Sequence, residues 1–125
     1  MEENKYVNAS ELYKQITQLS DDHSKSNQKQ VILAYVGIGK AMVQLKQFDQ
    51  ADDYLQTALK VAHETYGEKH QLVAKTLFEM AKLELSQNHK TDAKELLHQV
   101  LAMQKIVLPK SHKSLIETNK ILNQL

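Results

Sequence analysis

The 125-residue sequence contains no cysteine, and all 16 of its basic residues are lysine, so arginine is absent as well. The lack of cysteine excludes disulfides, thiolate metal sites and thiol nucleophiles. Bidentate recognition of phosphate or guanine usually needs arginine, so functions of that kind are disfavoured. The formal net charge of +1 gives no general attraction to nucleic acid or to an anionic membrane. With 3 glycines and 1 proline, the frequent turns of an all-β sandwich are nearly excluded.

Long apolar segments are also missing. The first residues, Met-Glu-Glu-Asn-Lys, are polar and acidic, and the longest uncharged apolar run, at 31–38, includes a tyrosine and a glycine. We therefore expect neither a secretory signal nor a transmembrane helix. The expected location is the cytoplasm. A protein secreted by a non-classical route, or a soluble piece of a longer chain, would share these features.

Apolar residues recur every three or four positions through almost the whole chain, which predicts amphipathic helices. We expect an N-terminal tail at 1–7 and a single helical domain at 8–125. The predicted helices span about 8–20, 28–46, 49–66, 70–87, 91–107 and 112–124. The expected N-terminal caps are Asn8 with Glu11, Asp49, Thr91 and Ser111, and the expected terminators are Gly67 and Pro109.

The apolar pattern repeats at intervals of 42 residues without any insertion, and the whole length is one residue short of three such intervals. Ala9, Ala51 and Ala93 superpose in this register, and the turn at 66–70 superposes on the turn at 108–112. A helical pair cannot bury its apolar face alone, so repeated pairs are expected to stack on one another. The repetition favours a solenoid over a bundle.

The stretch around the second and third predicted helices resembles a tetratricopeptide repeat, on the residues Tyr35, Ile38, Gly39, Phe48, Ala51, Leu55 and Ala58. A second copy follows in register, with Leu77, Met80, Ala81, Ala93, Leu97 and Val100. The 42-residue period and the Tyr-Gly-Glu-Lys-His turn are similar to the longer repeats of kinesin light chains. The resemblance covers about 9–125. It implies an all-α fold, a right-handed α-α superhelix of about six antiparallel helices.

Two departures limit what the resemblance implies. Kinesin light chain repeats usually carry an asparagine pair where this chain has Val36-Gly37 and Phe78-Glu79, so no cargo preference is transferred. Family members that hold a chaperone tail use a lysine and asparagine clamp for its carboxylate. The corresponding positions here do not form that clamp; they are Val36, Lys40, Lys75, Glu79, Glu117 and Ile121.

The sequence offers no convincing catalytic or metal site. His63-Glu64 begins a zinc-helix pattern, but Gly67 stands where the second histidine is required. The segment at 37–41 lacks the upstream glycine of a phosphate loop, so its small residues are better explained by close helix packing. The recurring turn places His70 and His112 at equivalent positions, for which the resemblance implies a structural role at a helix start. We therefore predict a protein that is not an enzyme and has no cofactor.

The resemblance implies that the first helix of each pair lines a concave groove. The predicted partner-binding residues are Val36, Lys40, Val43, Lys75, Phe78, Glu79, Lys82, Leu85, Lys120 and Ile121. Leu33, Gln44, Ser86, Glu117 and Gln124 are further groove positions. An apolar stripe beside lysines suits an amphipathic or extended segment with apolar anchors and acidic flanks. The alternative is that the apolar residues pack against neighbouring helices and that the lysines are a solvated surface.

We predict a non-catalytic module that binds a protein or peptide, with no nucleic-acid or membrane partner. Two alternatives stay open: a peptide-sensing domain of a larger bacterial regulator, and an accessory segment of an enzyme. The predicted repeats begin with the second helix of a pair and end with the first. Because Ile121, Leu122 and Leu125 are left uncovered, we expect either a longer array or self-association through a terminal helix.

Overall fold

The computed structural model describes residues 25–109 and 111–125, and these residues form helices without any strand. The helices are α1 (Lys25–Gln44), α2 (Phe48–Tyr66), α3 (Gln71–Ser86), α4 (Lys90–Val107) and α5 (Lys113–Gln124). The prediction of an all-α repeat fold is confirmed. The expected tail, the helix at 8–20 and its cap at Asn8 and Glu11 lie outside the described residues.

The helices stack as antiparallel pairs. α1 packs along α2 and α3 packs along α4, while α2 against α3 and α4 against α5 join one pair to the next. The first helices of the two complete pairs, α1 and α3, also contact each other directly. This arrangement is a solenoid of helical hairpins, in which each unit completes the core of its neighbour.

The core is continuous through the stack. Ile32 of α1, Leu55 of α2 and Leu97 of α4 are each 0% exposed. Helix α3 is buried along most of its length, because it packs against its partner α4 and against both α1 and α2 of the preceding pair. On α2 the buried residues are mainly alanines, which let helices approach closely because they add little volume.

Gly39 marks the closest approach of α1 and α2. A Cβ atom at this position would lie 2.8 Å from Leu55 Cγ and 2.9 Å from Leu55 Cδ2, so only glycine fits without a shift. Gly37 differs, because it is exposed and a Cβ there would meet nothing within 4 Å. The packing explanation offered for both glycines is therefore confirmed for Gly39 and wrong for Gly37.

The turns inside the two pairs have the same backbone conformation. Lys46 has φ 62° and Asn88 has φ 63°, and these residues are equivalent in the 42-residue register. Gln47 N–H donates to Met42 O over 2.9 Å, and its equivalent His89 N–H donates to Glu84 O over 2.8 Å. The repeat therefore extends from the apolar pattern to individual backbone hydrogen bonds.

These tight turns start the following helices earlier than expected. Gln47 is the N-cap of α2 and His89 is the N-cap of α4, in both cases without a side-chain capping hydrogen bond. The predicted caps Asp49 and Thr91 are therefore wrong, because both residues already lie in the first helical turn. Asp49 still favours the helix there, since a negative charge interacts well with the helix N-terminus.

Histidines cap the first helices of the second and third pairs. Leu72 N–H donates to His70 Nδ1 over 3.1 Å, and Ser114 N–H donates to His112 Nδ1 over 3.1 Å. The helix-start role of these histidines is confirmed, and Ser111 is wrong as the cap of α5 because His112 occupies that position. Gly67 ends α2 with φ 84°, as the sequence predicted.

Candidate functional site

A cavity of about 420 Å³ lies on the face formed by the first helices of the pairs. Its volume falls within the range of specific ligand pockets. Helices α1, α3 and α5 supply most of its wall, and the end of α4 completes it. The lining residues are Leu33, Lys40, Gln71, Leu72, Ala74, Lys75, Phe78, Glu79, Lys82, Gln104, Leu108, His112, Ser114 and Glu117.

Repeat-equivalent positions meet in this cavity. Leu33, Lys75 and Glu117 occupy one position of the 42-residue register on α1, α3 and α5. Lys40 and Lys82 occupy a second position on α1 and α3. The stacking therefore converts a periodic sequence feature into one concave surface.

The structure brings together half of the predicted partner-binding residues. Lys40, Lys75, Phe78, Glu79 and Lys82 line the cavity, as do Leu33 and Glu117 from the wider set of groove positions. The other half lies elsewhere, namely Val36, Val43, Leu85, Lys120 and Ile121.

Three of the four apolar members of the second group face the protein interior. Val36 is only 3% exposed and belongs to the core, while Val43 and Ile121 are half-buried and pack against it. Leu85 is also half-buried, and Lys120 is exposed on α5. Phe78 lines the cavity but is only 9% exposed and belongs to the core as well. The continuous apolar stripe expected along the groove is therefore reduced to the half-buried Leu33 and Leu108.

Lys82 is held in place by two neighbours on its own helix. Its Nζ lies 4.7 Å from the centroid of the Phe78 ring, a distance typical of a cation–π contact. The same Nζ lies 3.8 Å from Glu79 Oε1, and the Glu79 side chain is only 8% exposed. Lys82 thus balances the charge of a nearly buried carboxylate and contributes little free positive charge to the cavity.

Two other lysines of the cavity, Lys40 and Lys75, have no acidic partner in the described part of the chain. Among residues 25–109 and 111–125, neither Lys40 nor Lys75 forms an ion pair, and both side chains are exposed. Glu117 is the one further acidic residue in the lining, so positive charge is in excess near α1 and α3. An anionic group is the natural complement of such a surface.

The end of α4 adds a polar group that was not among the predicted groove residues. Gln104 lines the cavity, is only 4% exposed, and its Oε1 has no hydrogen-bond partner. A buried acceptor without a partner typically costs about 1–3 kcal/mol. Gln104 lies on the second helix of its pair, and a polar residue on such a helix is normally predicted to be exposed to solvent. In the 42-residue register Gln104 is equivalent to the apolar Ala62, and this correspondence is the signal in the sequence that could have indicated its burial.

A second polar cluster lies at the turn between α3 and α4. The potential ligand atoms of Glu84, His89 and Asp92 lie within 4.8 Å of one another. His89 Nδ1 is 2.7 Å from Glu84 Oε2, so a histidine–carboxylate hydrogen bond accounts for the closest contact. His89 and Asp92 are exposed. The sequence does not reveal this grouping, because the three residues follow no familiar metal-binding spacing.

Over the described ranges, no helix combines the length and the apolar character that crossing a membrane requires. The stacked hairpins, the repeated turns and the concave face define an α-helical repeat protein of the solenoid class. The family model of the tetratricopeptide repeat matches residues 30–106, which is more than half of the chain. The chain therefore belongs to the tetratricopeptide repeat family, whose members generally mediate protein–protein interaction. A search of curated proteins and a search of solved structures each found no match.

The family match reaches from α1 into α4, across both complete helical pairs. It is a match to tetratricopeptide repeats in general, so the likeness to kinesin light chains rests only on the period and the turn sequence.

Proposed function

We propose that the protein is a non-catalytic interaction module that binds an extended peptide in the cavity between α1, α3 and α5. The peptide carries an apolar anchor residue flanked by acidic residues. The observation that carries this proposal is the excess positive charge of Lys40 and Lys75 beside the half-buried apolar side chains of Leu33 and Leu108.

The division of roles follows from the surroundings of each side chain. Leu33 and Leu108 offer apolar area to an anchor, and burial of such area is the main source of binding free energy. Lys40 and Lys75 attract acidic flanks and exclude basic ones, so they contribute more to specificity and association rate than to affinity. The absence of cysteine in the sequence is compatible with a role in the cytoplasm.

Peptide selection by the intact chain tests this proposal. A display library of short linear peptides is selected on the immobilised protein, and the recovered peptides are measured by fluorescence polarisation. We expect the recovered peptides to carry aspartate or glutamate on both sides of an aliphatic or aromatic residue. Their affinity is expected to fall as salt rises, because the charges at this site are solvent-exposed.

The matched variants are Lys40→Glu with Lys75→Glu, and Lys60→Glu with Lys94→Glu as the control. Both pairs make the same change in net charge, but Lys60 and Lys94 are exposed on the second helices α2 and α4 and lie outside the cavity. We expect the cavity pair to weaken binding about tenfold or more and the control pair to leave it nearly unchanged. Equal effects of the two pairs, or recovered peptides without acidic residues, would contradict the proposal.

Self-association stays a prediction for this chain. Ile106 on α4 and Ile116 on α5 are 62% and 57% exposed, and they are the large apolar side chains that stand out as exposed among the described residues. Ile116 lies on the terminal helix, where self-association was expected. The expectation that Ile121, Leu122 and Leu125 are uncovered is wrong, because all three are half-buried and pack against the core. Sedimentation over a wide concentration range tests self-association, and a monomer at every concentration counts against it.

A further inference from the structure

The polar cluster at the turn between α3 and α4 combines side chains of the kinds that bind divalent metal ions. Glu84 lies in the last turn of α3, His89 is the N-cap of α4 and Asp92 lies in the first turn of α4. One potential ligand atom of each residue lies within 4.8 Å of the other two. The cluster is open to solvent, because the side chains of His89 and Glu84 are 53% and 24% exposed and Asp92 is exposed.

The backbone of the turn holds the three residues in fixed relative positions. The N–H of His89 donates to Glu84 O over 2.8 Å, which ties the start of α4 to the end of α3. The N–H of Ala93 donates to His89 O over 3.0 Å, so the residues around Asp92 already belong to the helix. Side chains that start from ordered helix ends lose little backbone freedom when they bind a ligand.

The equivalent turn of the first pair shows that the fold does not require these residues. In the 42-residue register their counterparts are Met42, Gln47 and Gln50, at the turn between α1 and α2. Gln47 N–H donates to Met42 O over 2.9 Å, so the same backbone bond forms there without a histidine or a carboxylate. The repeat architecture therefore does not account for a histidine placed between two carboxylates at the second turn.

The donor atoms indicate which kind of ion fits. One imidazole nitrogen and two carboxylate oxygens suit Zn²⁺ and related divalent transition metals, whereas Mg²⁺ and Ca²⁺ prefer oxygen ligands throughout. Ligand atoms at about 2.1 Å from a tetrahedral Zn²⁺ lie about 3.4 Å from one another. His89 Nδ1 and Glu84 Oε2 are 2.7 Å apart and no pair of ligand atoms exceeds 4.8 Å, so rotation of these accessible side chains reaches that geometry.

We propose that Glu84, His89 and Asp92 bind one Zn²⁺ ion, which links the end of α3 to the start of α4. The ion takes the place of the hydrogen bond in which His89 Nδ1–H donates to Glu84 Oε2. The neutral ring keeps one proton, which moves from Nδ1 to Nε2 by exchange with solvent when Nδ1 binds the ion. The two carboxylates balance the charge of the ion. None of the three residues lines the cavity, so the inference is independent of the proposed function.

Four substitutions by glutamine test the site. His89→Gln and Asp92→Gln each remove a ligand and introduce the residue type that the first pair has at the equivalent position, so both variants are expected to fold. His98→Gln and Glu95→Gln are the matched controls, because both residues are exposed on the same helix and lie outside the cluster. Circular dichroism checks that all four variants keep the helical content of the parent protein.

Zinc chloride is titrated by calorimetry into the 125-residue chain without an affinity tag, because a histidine tag would itself bind the ion. We expect one Zn²⁺ per chain, with affinity at least about tenfold weaker in His89→Gln and Asp92→Gln and unchanged in the two controls. Loss of an outer partner of a metal ligand typically costs about 10–100-fold, so loss of a ligand should cost at least as much. Zn²⁺ at about 100 times its Kd should also raise the unfolding temperature by roughly 5 °C or more in the parent and the controls.

Three results would overturn the inference. They are absence of Zn²⁺ binding by the parent protein, binding that survives both His89→Gln and Asp92→Gln, and binding that the control substitutions weaken to the same extent. The last two would show that Zn²⁺ is held diffusely by surface side chains. If one cluster variant loses its helical signal, the other variant still decides the question, since each removes a different ligand. The peptide selection is unaffected by all of these results, because it concerns the cavity.

Discussion

At the scale of single residues, small differences in surroundings decide what a residue type does. Gly37 and Gly39 are separated by one position on α1, yet only Gly39 touches the neighbouring helix. Lys40 and Lys82 are repeat-equivalent, yet only Lys82 is balanced by a carboxylate and an aromatic ring. Residue type and register therefore set the position of a side chain, and its neighbours set its role.

The two glycines give a prediction in which the same substitution has opposite effects. Gly39→Ala should destabilise the fold by about 1–3 kcal/mol, because the new Cβ overlaps Leu55. Gly37→Ala should stabilise it by roughly 0.5–1 kcal/mol, because alanine is the better helix former and meets no neighbour. Urea unfolding followed by circular dichroism measures both changes. Shifts of the same sign would contradict the close approach of α1 and α2.

Much of the fold could be predicted at this scale, and less of the site. The apolar period and Gly67 identified the helices and one terminator, because burial and a positive φ each leave a clear mark on residue choice. The caps Asp49 and Thr91 were misplaced because the preceding turns depend on positive φ values at Lys46 and Asn88, which the sequence does not reveal. Val36 was wrongly placed in the groove and Gln104 was missed, because burial on a given face depends on how neighbouring helices stack.

At the scale of the element, the starts of α3 and α5 are held by the same device. The His70 and His112 rings accept a backbone N–H two residues ahead, and a threonine one turn further on repeats as well. Thr76 Oγ1 donates to Leu72 O over 2.8 Å and Thr118 Oγ1 donates to Ser114 O over 2.9 Å. Both threonines are 0% exposed, so these bonds satisfy hydroxyl groups that burial would otherwise leave unpaired.

The cap of α3 gives the prediction at this scale. His70→Ala should destabilise the protein by about 1 kcal/mol through loss of the cap, and by a further fraction through loss of stacking on Tyr66. The two rings are stacked with centroids 4.0 Å apart. His70→Asn keeps a side-chain acceptor and should recover most of the loss. Thermal unfolding of the three proteins gives the comparison, and an alanine variant as stable as the parent would refute the capping role.

At the scale of the whole molecule, function depends on the contact between repeats. The cavity draws its lining from α1, α3, α4 and α5, so no single helical pair contains it. Lys40 comes from the first pair and Lys75 from the second, and their common environment exists only because α1 and α3 lie side by side. The repeat architecture thus supplies both the core and the concave surface.

The central claim is that a peptide occupies this cavity, and amide chemical-shift mapping of the labelled protein tests it most directly. A peptide recovered by selection is titrated into the protein, and the shifted amide resonances are mapped onto the helices. We predict that the shifts cluster on α1, α3 and α5 around Lys40, Lys75 and Phe78, and extend to Gln104 on α4. Shifts confined to the exposed faces of α2 and α4, around Lys60 and Lys94, would contradict the account.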